Sequence, residues 1–252
     1  MHVHGILSAW SPVAKGAVMT DPSPDHLSDP GALGEKLSRL LYTAVVSDVL
    51  DGFGLMHQAL RPFVRPLDET LVLFGPARTG RYERVTVPSS PSPANHNPYE
   101  LEMDLIDSLR PGEVAVLACG GPTEVIAPWG ELLSTAARAR QAAGCVMDGL
   151  VRDVARIRAM RFPVFHGGIG PLDTKNRAEM VERDVTVTLA GVAISPGDWI
   201  LGDVDGVVVI PADRSEQVFR AALEKITAED TTRAELEAGH SLRAVFARHG
   251  VL

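Results

Sequence analysis

Five consecutive blocks between residues 114 and 166 constrain this chain more than anything else in it: "VAVLAC", "GELLSTAARARQAAG", "CVMDG", "DVARIRAM" and "PVFH". Short apolar runs alternate with segments whose apolar residues recur at helical spacing, and the links between them are brief. Strand, helix, strand, helix, strand in that order predicts parallel βαβ units, because parallel strands need a crossover and a helix is the usual one. Consecutive strand ends then lie on one rim of the sheet, where the helix N-termini also point.

The flanking segments fit one α/β architecture. Residues 1–33 crowd Pro, Asp, Ser and Gly together and are expected to form a flexible arm. A helix is predicted over about 34–50, with Leu37, Leu40, Leu41 and Val45 on one stripe, stopped by "VLDGFG". "ETLVLFGPART" reads as a buried strand ending at Gly75–Pro76, and the Pro/Ser/Asn-rich stretch 88–98 as a long loop. "YELEMDLIDSL" reads as a helix closed by a turn. Past residue 184 the pattern shifts to several short strands with Gly and Pro turns. A long helix over 213–238 follows, with Asp213 as its N-cap, and a short helix ends the chain. There is no repeat and no clean boundary after the arm, so residues 34–252 are expected to form one domain.

Composition narrows the function. The 252 residues carry a net charge of −8, which disfavours non-specific nucleic-acid binding. No apolar run reaches the roughly 18 residues of a membrane span, and the start lacks the pattern of a secretory leader. Cys119 and Cys145 both sit in apolar stretches and read as core thiols of a reducing, cytoplasmic protein.

Many common sites are missing from the sequence: no P-loop, no G-x-S-x-G, no H-E-x-x-H, no paired C-x-x-C, and no dinucleotide fingerprint around "HGGIG". What remains is an Arg–Asp pair, Arg152–Asp153, where a core strand gives way to a helix. Glu131 opens the preceding helix, one crossover earlier, so it can reach the same crevice. The amides of Leu132 and Leu133 in that first turn are free to donate to an anion. A carboxylate on an oxygen-rich rim suits Mg²⁺ or Mn²⁺, which keep several waters. Arg152 suits a carboxylate or a developing enolate oxygen. The set matches a 2-oxo acid. Blander readings stand beside this one: Asp153 as a cap of the following helix, Glu131 as a first-turn charge, Arg152 as a surface cation, His166 as a turn residue, and Asp203 and Asp205 as parts of a hairpin turn.

"WGELLSTAARARQAAGCVMDGLVRDV", "FPVFHGGIGP" and "ISPGDWILGDVDGVVVIP", with "YTAVVSDVLDGFG" and "FGPARTGR" before them, resemble the family of class II 4-hydroxy-4-methyl-2-oxoglutarate/4-carboxy-4-hydroxy-2-oxoadipate aldolases and RraA regulators of ribonuclease E. The resemblance covers about residues 36–212. It implies a compact α/β/β sandwich with parallel βαβ units, a β-rich C-terminal half and a helical C-terminus. It also implies homotrimers or homohexamers with sites between subunits.

For the aldolases it implies that Asp153 helps hold the divalent metal and that Arg152 contacts the pyruvyl oxygen. Glu131 would order water at the metal, and the Leu132 and Leu133 amides would hold the substrate carboxylate. A further acid would come from a neighbouring subunit, for which Asp203 and Asp205 are candidates. The activity implied is retro-aldol cleavage of a 4-hydroxy-2-oxo acid to pyruvate, with oxaloacetate decarboxylation beside it. The regulators typically lack the metal-binding Asp that this chain retains. A non-catalytic, ribonuclease E-binding role, or another lyase or hydratase on a 2-oxo acid, are the alternative functions.

Overall fold

The computed structural model describes residues 37–85 and 97–250. The expected arm at 1–33, the start of the first helix and most of the 88–98 loop lie outside the described residues. In chain order the first elements are α1 (Thr43–Gly52), β1 (Arg65–Pro66), β2 (Leu73–Arg84), α2 (Glu100–Asp107), β3 (Val114–Ala118) and α3 (Glu131–Ala139). Then come β4 (Gly144–Met147), β5 (Leu150–Val151), α4 (Val154–Met160), β6 (Val164–His166), β7 (Gly168–Ile169) and β8 (Ala178–Arg183). The remainder is β9 (Val187–Leu189), β10 (Val192–Ile194), β11 (Trp199–Gly202), β12 (Val207–Ile210), α5 (Ser215–Glu237) and α6 (Leu242–His249).

The eight-stranded main sheet runs β1-β6-β4-β3-β2-β11-β12, with β8 also paired to β2. β2, β3, β4 and β6 are mutually parallel, as the alternation predicts. The long strand β2 does not stop at Gly75–Pro76. Its first residues pair antiparallel with β11, and from Ala77 it pairs parallel with β3. Pro76 therefore falls where the strand changes partner, and its missing N–H interrupts little. Toward its end β2 also takes β8 antiparallel, with a register shift between Arg81 and Tyr82.

Three apolar clusters give the layers. Helices α2, α3 and α4 cover one sheet face around Leu105, Leu117, Trp129, Met147 and Ile157. The β9–β10 hairpin covers the other around Val116, Val146, Phe165 and Ile194. The result is the expected α/β/β sandwich. A third cluster joins α1 and α5 to β11 and β12 through Phe74, Trp199 and Phe219, whose ring centroids lie 5.0–5.6 Å apart. Each fully buried large side chain in these clusters stabilises the fold by about 1.5–3 kcal/mol.

Two helix expectations need correction. The predicted 34–50 helix is interrupted over 39–42 and restarts at Thr43, because the Asp203 carboxylate receives the Thr43 N–H (2.8 Å) and hydroxyl (2.7 Å) and so fixes a new N-terminus there. The long C-terminal helix starts at Ser215 with Arg214 at the cap position, not Asp213, and no side chain caps it.

Candidate functional site

Strands β3, β4 and β6 end on one rim. The exits of β3 and β4 are tied together by Asp148, whose buried carboxylate accepts the Cys119 N–H (2.6 Å) and the Gly121 N–H (2.8 Å), and the β6 exit joins them through the Gly167 N–H, which donates to the Gly149 carbonyl (2.8 Å). Burial pushes that carboxyl up, and the backbone donors pull against it. Beyond the main sheet, β5 pairs in parallel with β7, and Trp129 bridges Val151 in parallel. The Arg152 N–H donates to the Trp129 carbonyl (2.9 Å), which stitches the entry of α3 to the β5–α4 junction. Trp129 is fully buried, and its indole N–H donates to Ser134 Oγ (2.7 Å), which donates in turn to the Gly130 carbonyl (3.0 Å). The α3 N-terminus and the Arg–Asp pair are thus held together by a buried frame.

Asp153 occupies the cap position of α4 but makes no side-chain cap bond. Its backbone is left-handed, φ 58 and ψ 29, a conformation that short polar residues tolerate better than others. That turn sends the carboxylate to the neighbouring helix, where Oδ2 accepts the Glu131 N–H at 3.1 Å. Among the described residues its Oδ1 accepts no hydrogen bond, and the residue is exposed. Glu131 meets Asp153 through this amide; its own carboxylate accepts from Thr135 Oγ1 one turn along (3.2 Å). The Leu132 and Leu133 amides lie in the same first turn, where the helix offers them no acceptor. The Leu132 side chain is 77% exposed, so the amide is what that residue brings to the rim.

Arg152 lies between two carboxylates. Its Nε is 4.0 Å from Asp153 Oδ2, and its Nη1 is 3.8 Å from Asp173 Oδ1 and donates to the Leu172 carbonyl at 3.5 Å. With Glu131 nearby, the local formal charge is negative, so an anionic ligand needs a cation to turn the sign. The donor set fits one: a hard, half-exposed carboxylate that, among the described residues, has a free oxygen and no thiol or imidazole beside it suits a hydrated divalent ion. Among the described residues no group of three His, Cys, Asp or Glu forms a closed metal cage.

Asp203 and Asp205 sit elsewhere, in the β11–β12 turn, where Asp203 also accepts the Asp205 N–H (2.9 Å) and the Asp205 carbonyl accepts from Arg65 (2.8 Å). Both therefore have intrachain structural work. Cys119 and Cys145 are buried free thiols, as expected. His166 is buried at the end of β6, and burial pushes it down to about 4, so it is neutral.

Three groups near the site went unread in the sequence. Asp173 faces Arg152. Tyr99 donates from its hydroxyl to Asp173 Oδ2 at 2.9 Å. Glu102, on the sheet-facing side of α2, is buried beside Tyr82, and burial raises its carboxyl to about 7 against the pull of the Tyr82 hydroxyl and Arg152. Glu102 was detectable in principle, since it shares a helical stripe with Leu105 and Ile106.

A family model described as "RraA-like: Aldolase/RraA" matches residues 43–209, about two thirds of the chain. The chain belongs to the RraA-like family. Among curated RraA-like relatives, a Halalkalibacterium halodurans protein named "Putative 4-hydroxy-4-methyl-2-oxoglutarate aldolase" is 34% identical over 196 residues, 77% of this chain and 84% of that one. Protein DlpA of Legionella pneumophila is 29% identical over 225 residues, 88% of this chain, which spans only 35% of DlpA. Among solved structures, Streptomyces coelicolor RraAS2, described as an unusual member of the RNase ES inhibitor RraA protein family, aligns with a TM-score of 0.71 at 25% identity. The alignment covers 81% of this chain and 98% of that one. An uncharacterized Pseudomonas syringae protein shares the fold with a TM-score of 0.74 at 24% identity, over 84% of this chain and 92% of that one. The family-model match ends before α5 and α6.

Proposed function

We propose that this protein is a divalent-metal-dependent carbon–carbon lyase that cleaves a 4-hydroxy-2-oxo acid to pyruvate and decarboxylates oxaloacetate. The observation that carries the reading is the Arg152–Asp153 pair. Among the described residues Asp153 keeps one carboxylate oxygen free at the α3 N-terminus while Arg152 stands beside it. The names of the aldolase-like relatives support the same chemistry.

Mg²⁺ or Mn²⁺ held by Asp153 would supply Lewis acidity to the 2-oxo group. The Leu132 and Leu133 amides receive the substrate carboxylate at the helix N-terminus. In the retro-aldol step the C4 hydroxyl loses its proton, C4 becomes a carbonyl as the C3–C4 bond breaks, that bond's electron pair forms the C2=C3 bond of the enolate, and the carbonyl π pair moves onto the 2-oxo oxygen. Arg152 stabilises that developing charge, an effect worth on the order of 10²–10³ in rate. Glu131 passes the released proton through water toward C3 of the enolate. In oxaloacetate, CO₂ leaves in place of the carbonyl fragment, and the same enolate results. The reading includes assembly as a homotrimer or homohexamer, with a neighbouring subunit completing the site.

The test is pyruvate release, coupled to NADH oxidation by lactate dehydrogenase, from 4-hydroxy-4-methyl-2-oxoglutarate and from oxaloacetate. Turnover that needs Mg²⁺ or Mn²⁺, stops with EDTA and falls at least a hundredfold in Arg152→Ala supports the reading. Absence of turnover on both substrates with either metal overturns it. The likeness to RraAS2 favours a second reading, a ribonuclease E-binding regulator whose acidic surface meets a basic partner. Pull-down of ribonuclease E by a chain without lyase activity would establish that alternative.

A further inference from the structure

The surroundings of Arg152 contain more than the lyase reading uses. Asp173, in the connection from β7 to β8, approaches the guanidinium at Nη1, whereas Asp153 approaches it at Nε. The two carboxylates stand 3.8 Å and 4.0 Å from guanidinium nitrogens, beyond hydrogen-bonding range. Electrostatic attraction from both carboxylates therefore sets where the guanidinium lies without consuming its donors. Among the described residues its only hydrogen-bond acceptor is the Leu172 carbonyl, one residue from Asp173.

Asp173 is itself firmly placed. Its Oδ2 accepts the Tyr99 hydroxyl at 2.9 Å, and its Oδ1 accepts the Lys175 N–H at 3.4 Å and the Thr174 hydroxyl at 3.5 Å. Its carbonyl accepts from Arg177 at 3.1 Å. Burial pushes its carboxyl up, but the Tyr99 hydroxyl, the Lys175 amide and Arg152 outweigh that and hold it below the ordinary range. Tyr99 is pushed up to about 12 by burial and by this bond, so it stays a neutral donor. Tyr99 is in turn fixed at the head of α2, where its N–H donates to Asn97 Oδ1 at 3.2 Å. A chain of contacts thus runs from the α2 entry to the reacting rim: Tyr99, Asp173, Arg152.

We propose that Asp173, braced by Tyr99, is a positioning residue that fixes the Arg152 guanidinium against the α3 N-terminus. Its kinetic consequence rests on the lyase reading; its geometric consequence does not. A positioning carboxylate also has a recognisable signature. Asp173 is negative beside the place where an anionic substrate binds, so removing its charge relieves repulsion in the ground state. Losing the brace frees Arg152 and weakens only what the transition state needs. The kinetic constants should therefore separate, with kcat falling while KM stays level or drops.

The experiment uses the full chain with Mg²⁺ and compares wild type, Asp173→Asn, Asp173→Glu and Tyr99→Phe. In the pyruvate-release assay Asp173→Asn is expected to lower kcat about tenfold with KM unchanged or reduced, and Tyr99→Phe about threefold in the same pattern. Asp173→Glu should recover part of the loss. In parallel, the Arg152 Nε–Hε signal in nitrogen–proton spectra, assigned by its loss in Arg152→Lys, should shift or broaden in Asp173→Asn and do so less in Tyr99→Phe. Because this readout needs no turnover, it decides the positioning claim even if no 2-oxo acid is cleaved. An Arg152 signal identical to wild type in both Asp173→Asn and Tyr99→Phe overturns the proposal. So does a rise in KM with kcat unchanged, which would make Asp173 a group that binds substrate directly.

Discussion

The Asp153 carboxylate reaches across a crossover to accept the N–H of Glu131 at 3.1 Å. It sits at the cap position of its own helix and serves the neighbouring one, because its left-handed backbone turns the side chain away from α4. This bond brings the metal-suited carboxylate, the free first-turn amides and Arg152 to one place.

Asp153→Asn is the cleanest test of the charge. Asparagine accepts the same left-handed backbone and retains an oxygen for the Glu131 amide, whereas alanine there would add backbone strain of about 1–2 kcal/mol. The expected result is a melting temperature close to wild type, loss of the stabilisation that added Mg²⁺ gives, and metal-dependent turnover lower by at least about a hundredfold. Thermal melts with and without Mg²⁺, run beside the kinetics, check this. A full metal response in the variant would remove Asp153 from the cation's coordination.

Gly130 is needed for a reason unrelated to its conformation. Its backbone, φ −146 and ψ −168, is extended and open to any residue. A Cβ there would lie 2.6 Å from Asp153 Oδ2 and 3.2 Å from both Cγ and Nε of Arg152. Gly130→Ala should therefore displace the Arg–Asp pair, cutting turnover at least about tenfold by misplacing one transition-state donor. It should cost little stability, because the displaced groups are at the surface. A urea denaturation series and steady-state kinetics on the same preparation would show the split; wild-type kinetics would contradict the packing argument.

Asp203 was a candidate for the acid given to a neighbouring subunit, and its own hydrogen bonds favour a structural task. It takes the N–H and hydroxyl of Thr43 and the N–H of Asp205 while itself buried. Asp203→Ala strips the N-terminus of α1 of its acceptor and should destabilise the fold by about 2 kcal/mol. A melting temperature lower by roughly 4–8 °C is expected, with specific activity of the folded fraction maintained. An unchanged melting temperature with abolished turnover would return Asp203 to the reaction.

The fold was legible from Val114 to His166 because apolar period and short links there leave one topology. The strand β2 was cut short because Gly75–Pro76 is a stop signal in isolation, while the pairing that carries the chain past it comes from β11 and β3, distant in sequence. Arg152, Asp153 and Glu131 stood out as charges at element junctions. Asp173 and Tyr99 did not, since a polar residue in a loop looks like any other until the fold lays that loop against Arg152. The bonds from Thr43 to Asp203 were illegible for the converse reason: Thr43 lies far away in the sequence, near the start of the described residues.

Glu102 and His166 set opposing pH dependences that should nearly cancel in the wild type. Burial raises Glu102 from 4.5 to about 7, so between those values the folded protein keeps a proton that the unfolded chain has released. Stability from this group is complete below about pH 4.5 and is lost as pH rises through 7. Burial lowers His166 from 6.5 to about 4, so its contribution is complete above pH 6.5 and is lost as pH falls toward 4. Each slope is about 1.4 kcal/mol per pH unit, and they overlap in sign-reversed fashion from pH 4.5 to 6.5. Of these two terms, Glu102→Gln leaves only the histidine's. Its unfolding free energy should climb by roughly 2–3 kcal/mol across that window, where the wild type stays nearly flat, and should exceed the wild type's at pH 8. Urea midpoints at pH 4.5, 5.5, 6.5 and 8 provide the measurement. Parallel profiles for the two proteins would mean that Glu102 is ionised in the fold and that its burial is compensated by charge rather than by a retained proton.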